Sequence, residues 1–121
     1  MTLEEALLLP AGKILDAVVA WKVFGWPRST VLEARAGIYD PMTFVQSPPE
    51  YSTEIAAAWQ VVEKLRPPFW VSIDDLRKHS AGGYSCAIGL PENNASAWAE
   101  ADTACLVICR AALKAVWRDL P

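Results

Sequence analysis

Apolar positions along the chain change their spacing twice, and the changes separate helical stretches from extended ones. Thr2 to Glu5 reads T-x-x-E, a capping box that starts a helix. Pro10 interrupts it. Over 11–24, Ile14, Leu15, Val18, Val19 and Val23 make an inner stripe at helical spacing, and Gly25 follows as a C-terminal cap. From Trp26 to Tyr51 no period holds and prolines stand at 27, 41, 48 and 49, so this segment reads as an irregular loop, with a short strand over 43–46 or a functional loop as its content. Ser52 is placed to cap the next helix, where Ile55, Ala58, Trp59, Val62 and Leu65 share one face, and Pro67 and Pro68 end it.

After the prolines the alternation falls to a period of two. Strands are expected over 69–76 with Phe69, Val71 and Ile73 on one face, and over 84–90 with Tyr84, Cys86, Ile88 and Leu90 on one face. A third is expected over 95–101, carrying Trp98. The turn-forming stretches SAGG and PENN separate them, which makes neighbouring strands antiparallel. A last helix runs from Thr103 to about residue 119. The order is helix, loop, helix, three strands, helix. The expected fold is α+β: an α-β-α sandwich with an antiparallel sheet of three to four strands and helices packed against it. One domain spans 1–121, with 27–50 as an irregular loop or insert.

Composition supports a packed core, with 53% hydrophobic and 21% charged residues in 121 positions. Six tryptophans in so short a chain favour subunit contacts or ligand stacking. A net charge of −3 argues against a general nucleic-acid binder but leaves room for a small anion held by one or two local cations. The helix–three strands–helix tail resembles the double-stranded-RNA-binding order, yet its last helix opens with TACLVICR, where a duplex binder carries lysines. No apolar run reaches membrane length, the N-terminus starts acidic, and an odd, sparse set of three cysteines suggests reduced thiols, so a cytoplasmic protein is expected.

Candidate chemistry centres on the last helix. Thr103 and Arg110 lie nearly two turns apart on one face, continued by Lys114 and Arg118. A helix N-terminus and a guanidinium suit phosphate or carboxylate, although a solvated basic stripe with Thr103 as a plain cap is the commoner arrangement. Asp102 is a cap or a ribose acceptor. Trp21, Lys22, Trp26 and Arg28 form an aromatic–cation cluster at a helix exit, suited to a purine and a phosphate or to subunit packing. Tyr84 at the mouth of a hairpin stacks on a base or on its cross-strand neighbour. His79, the only histidine, lacks an acid–nucleophile pattern beyond Asp74 and Asp75, and Cys105 with Cys109 makes a poor zinc site. No dinucleotide fingerprint, P-loop or hydrolase motif is present. A binder without metal or cofactor is expected in preference to an enzyme.

The stretches AGKILDAVVAWKVFGW (11–26), PPEYSTEIAAAWQVVEKL (48–65) and AEADTACLVICRAALKAV (99–116) resemble, in order, three blocks of the phage ABA-sandwich family. The chain departs from that pattern at Cys105, where the family often has proline, at Val107, where alanine is usual, and in the insert 27–47. The resemblance implies a helix–sheet–helix sandwich and extends to the phage Thoeris anti-defence sponges. These sequester a cyclic ADP-ribose isomer made by bacterial TIR-domain enzymes and do not cleave it, and the resemblance extends to members that hold cyclic oligonucleotides at a different site. It therefore implies a small cyclic nucleotide as ligand, a homo-oligomer built on dimers with pockets at subunit junctions, and action in the host bacterial cytoplasm. Carried onto matching positions, the pocket groups are Trp21, Asp102, Thr103 and Arg110, with Arg28 and Tyr84 beyond the blocks. A structural or protein-binding phage factor is the alternative, followed by a nucleotide-cleaving enzyme using His79.

Overall fold

A helix buried on most sides needs neighbours on most sides, and α2 (Lys13–Phe24) is such a helix: Leu15, Asp16, Ala17, Val18, Val19, Ala20 and Val23 are all buried. The structure, a computed structural model, describes residues 1–37, 47–76, 83–90 and 96–117. The chain begins with α1 (Leu3–Leu7), whose Thr2 hydroxyl accepts the Glu5 N–H as the capping box requires, and the helix ends ahead of Pro10. Gly25 closes α2 in the left-handed conformation, and Trp26 donates to the Ala20 carbonyl at 3.0 Å.

The segment expected to be irregular contains a helix, α3 (Ser29–Ala36), closed by Gly37. It turns only Thr30, Val31 and Ala34 inward against α2, too narrow a stripe to register as a period. The strand suggested over 43–46 lies outside the described residues. The next helix, α4 (Ile55–Leu65), is capped by the backbone at Glu54 and not by Ser52, which is buried for another purpose. Its inner face is Ala57, Ala58, Val61, Val62 and Leu65, while Ile55 and Trp59 from the expected stripe are exposed. The inner face is thus rotated from the expected one.

Three strands follow: β1 (Trp70–Asp75), β2 (Tyr84–Gly89) and β3 (Ser96–Ala101). They form an antiparallel sheet in the order β1-β2-β3, with Ile73 opposite Cys86 and Cys86 opposite Ala99. Val71, Ile73, Cys86, Ile88, Ala97 and Ala99 share one face, as the period-two reading expects. That face packs on α5 (Ala104–Trp117), which also meets α1, α2 and α4. The fold is α+β, with helices packed against the sheet. Leu113, Ile108 and Leu15 are fully buried around α5 and α2, each contributing about 1.5–3 kcal/mol from removal of its side chain from water. The described part of α5 starts one residue beyond Thr103, as expected; its expected end near residue 119 lies outside the described residues.

Candidate functional site

The end of α2 and the start of α3 bring cations and indoles together. The Lys22 ammonium sits 4.0 Å from the Trp21 ring centroid and 4.2 Å from that of Trp117. The two indoles meet edge to face at 5.8 Å. The Arg28 guanidinium lies 5.8 Å from the Trp21 ring. Trp21 and Arg28 also line a small cavity of about 40 Å³ together with Met1, Val31, Leu32 and Arg35. Partial burial and the nearby Arg28 charge both push the Lys22 ammonium below its usual pKa, burial being the larger cause. This corner therefore carries three cations and no ion pair among the described residues, a field that favours an anion.

Arg35 and Trp117 belong to this corner and were not singled out from the sequence. Arg28 and Arg35 are seven residues apart, two turns of helix, so their shared face becomes readable only once 29–36 is recognised as helical. Trp117 is set beside Trp21 by the contact of α5 with α2.

The other expected site residues lie elsewhere. Tyr84 stands opposite Ala101 at the end of the sheet, beside the exposed Asp102 and Thr103. The Thr103 hydroxyl accepts the Leu106 N–H at 3.2 Å, an N-cap bond. Arg110 is half-buried and its Nη2 donates to the Leu9 carbonyl at 3.5 Å, tying α5 to the segment after α1; its Nε is buried without a partner. Lys114 donates to the Trp98 carbonyl at 2.6 Å. The six residues thus divide into Trp21 with Arg28, Tyr84 with Asp102 and Thr103, and Arg110 by itself on α5, against Leu9. His79 and Arg118 lie outside the described residues.

A buried polar node explains much of the PPEYSTE stretch. Ser52 donates its N–H and its hydroxyl to Asp16 Oδ1 and accepts from the Gly12 N–H at 2.9 Å. Tyr51 stacks on Phe24 at 4.9 Å, and burial, with help from Asp16 and Cys109, pushes its hydroxyl up to about 12. Burial likewise raises the thiols of Cys86, to about 12, and of Cys105 and Cys109, so none is an activated nucleophile. With Ser52 only 1% exposed, this node holds the 48–54 turn against α2. Among the described residues no group of three or more His, Cys, Asp or Glu side chains is placed to hold a metal ion. No described helix is long and apolar enough to cross a membrane.

A wider groove of about 630 Å³ runs between α4 and the start of β1, walled by Trp59, Phe69, Trp70 and two prolines, with Arg66 and Glu63 as its charged groups. Its walls are largely apolar and its two charges balance.

Helices pack on an antiparallel sheet, and an aromatic–cationic corner forms where Trp21, Lys22, Arg28 and Trp117 meet. The chain belongs to the phage ABA sandwich domain family, which it matches over residues 17–113. It is also similar to a phage protein from Bacillus cereus ATCC 14579 known from a 2.0 Å crystal structure: the TM-score is 0.61, with 27% identity over 90% of this chain and 95% of that one. Both likenesses indicate a phage protein. No curated protein matches the sequence.

Proposed function

We propose that this phage protein is an anti-defence sponge, which captures a cyclic ADP-ribose isomer without cleaving it and so blocks Thoeris-type immune signalling in the host cytoplasm. The observation that carries the reading is the Trp21 corner, where Lys22 and Arg28 approach one indole and Arg35 lines the same cavity. An indole offers a face to a purine, and two guanidinium forks match a pyrophosphate. The likeness of the three sequence blocks to the sponge family supplies the ligand class.

The cavity at Trp21, about 40 Å³, is far smaller than the several hundred Å³ that a nucleotide needs. One chain therefore supplies one wall, and a second copy closes the pocket. Separate half-sites at Trp21 and at Tyr84–Asp102 are what a pocket at a subunit junction looks like within a single chain. A pocket closed by assembly meets its ordering cost before the ligand arrives, which favours tight capture.

The test is incubation with cyclic ADP-ribose isomers, followed by heat denaturation and chromatography. Depletion before heating with intact nucleotide recovered afterwards supports capture. A changed product identifies an enzyme, and no depletion leaves a structural or protein-binding role, to which the exposed Trp59, Trp70 and Trp98 lend support. Arg28→Ala and Arg35→Ala should each weaken capture roughly ten- to a hundredfold, the worth of one charge-assisted hydrogen bond.

A further inference from the structure

Lys22 holds the space that a nucleobase needs. Trp21 and Trp117 stand almost at right angles, with 80° between their planes. The Lys22 ammonium is 4.0 Å from one ring centroid and 4.2 Å from the other. A base stacked on Trp21 sits roughly 3.5–4 Å above the ring, the contact distance between carbon atoms. The ammonium stands in that same layer. Elsewhere Trp21 packs against the core and lines the cavity of about 40 Å³, which is too small for a purine.

Two features make this occupant easy to move. Trp21 and Lys22 are neighbours on α2, and neighbouring helix positions do not face each other, so the lysine stem bends back to bring its charge over the ring. Among the described residues no carboxylate pairs with Lys22; the two rings hold the ammonium, and Arg28, 5.8 Å from the Trp21 ring, repels it.

We propose that Lys22 is a displaceable plug: an anion drawn to Arg28 and Arg35 pulls the ammonium off the rings, and the bared face of Trp21 then takes a nucleobase. The plug belongs to the nucleotide site described above and rests on that reading for its ligand class. A charge-assisted hydrogen bond to a phosphate oxygen outweighs an exposed cation–π contact, so the exchange is favourable once the anion is present. The anion also comes to lie between cations that repel one another. The result is discrimination. A nucleoside meets a covered ring, an inorganic anion gains no stacking, and a ligand with both groups gains both. Base and anion are thus positively coupled through one side chain.

Inorganic pyrophosphate and adenosine, added to the full chain separately and together, test the plug by NMR. In the free protein the Lys22 Cε protons, held against two ring faces, should resonate upfield of those of other lysines, and pyrophosphate should move them back. Saturating pyrophosphate should tighten adenosine binding to the wild type by roughly five- to tenfold, a modest coupling. Lys22→Ala keeps a good helix former and empties the angle between the rings. It should bind adenosine at the tighter value with or without pyrophosphate, and bind pyrophosphate more weakly. Lys22 signals at ordinary positions in the free protein, signals that stay upfield at every pyrophosphate concentration, or coupling that is absent in the wild type or intact in Lys22→Ala each overturn the plug. Capture of cyclic ADP-ribose isomers is read separately. A chain that captures one while Lys22 stays on its rings keeps the sponge reading and loses the plug; a chain that captures none but couples pyrophosphate to adenosine does the reverse.

Discussion

Ser52 gives both its N–H and its hydroxyl to a single oxygen of Asp16, at 2.8 and 2.6 Å, with both residues buried. The pair joins the 48–54 turn to α2. Ser52→Ala removes the shorter bond and also the acceptor of the Gly12 N–H. The carboxylate keeps one donor and loses another inside the protein, which costs about 1–3 kcal/mol. Urea unfolding should show a lowered midpoint with an unchanged slope.

The same pair makes stability depend on pH. Burial holds the Asp16 carboxyl above its ordinary 3.8, against the opposing pull of the Ser52 bonds and with a smaller contribution from Glu50. A carboxyl with a raised folded pKa binds a proton more readily when folded than when unfolded. Its contribution to stability therefore grows as pH falls through the raised folded value toward 3.8, and is flat below it. In Asp16→Asn that gain should be missing. Thermal melts of the two proteins between neutral pH and about pH 4 should show the wild type gaining on the variant as the pH drops.

Much of this architecture is legible in the sequence because its signals are local. The alternation of Val71, Ile73, Cys86 and Ile88 is the inner face of the sheet, and the Thr2 box and Gly25 cap work as their residue types suggest. The failures come where a tertiary partner outbids a local role. Ser52 has the chemistry of a cap but is taken by Asp16, and Ile55 and Trp59 fit a helical stripe that the core does not use. For α3 the readable signal is Gly37 together with Arg28 and Arg35 two turns apart, since its apolar stripe is too thin. The Trp21 corner was half legible for that reason: Trp21 and Arg28 are near in sequence, whereas Arg35 and Trp117 arrive through folding.

Two glycines should respond differently to alanine. Gly83 has φ +75°, and a Cβ on it would stand 2.6 Å from the Ala101 carbonyl oxygen, which is fixed backbone. Gly83→Ala should cost about 1–3 kcal/mol from conformational strain, with more from the clash. At Gly89 the obstacle is the end of the Trp70 side chain, which has solvent to swing into. Gly89→Ala should cost less than Gly83→Ala and shift tryptophan fluorescence to the red. Equal losses in paired melts would show that Trp70 is held more firmly than its exposure suggests.

Nucleotide capture should weaken at alkaline pH. Lys22 is pushed below its ordinary 10.5 by burial and by Arg28, and only its protonated form attracts an anion. As pH rises through that lowered value the ammonium is lost while both arginines stay charged, so affinity falls by part and not entirely. Lys22→Arg should bind with no such fall. Calorimetric titrations of both proteins on either side of the lowered pKa check this, and an identical alkaline loss in the variant would place the titrating group elsewhere.

Arg110 separates binding from structure on the last helix. Its Nη2 reaches the Leu9 carbonyl at the outer limit of a hydrogen bond, 3.5 Å, and its Nε is buried with no partner. An unpaired buried donor costs about 1–3 kcal/mol, so the guanidinium gains little where it stands. Its aliphatic stem still fills space between α5 and the segment after α1. Arg110→Met keeps the stem and removes the unpaired donor, and should match or exceed wild-type stability by up to about 1 kcal/mol. Arg110→Ala loses the stem as well and should be the less stable of the two. Because the guanidinium reaches the Leu9 carbonyl after α1 and not the Trp21 corner, the Met variant should capture nucleotide as the wild type does. A Met variant with a wild-type melt that no longer holds nucleotide would return Arg110 to the binding site, and would show that its unpaired Nε is kept for the ligand.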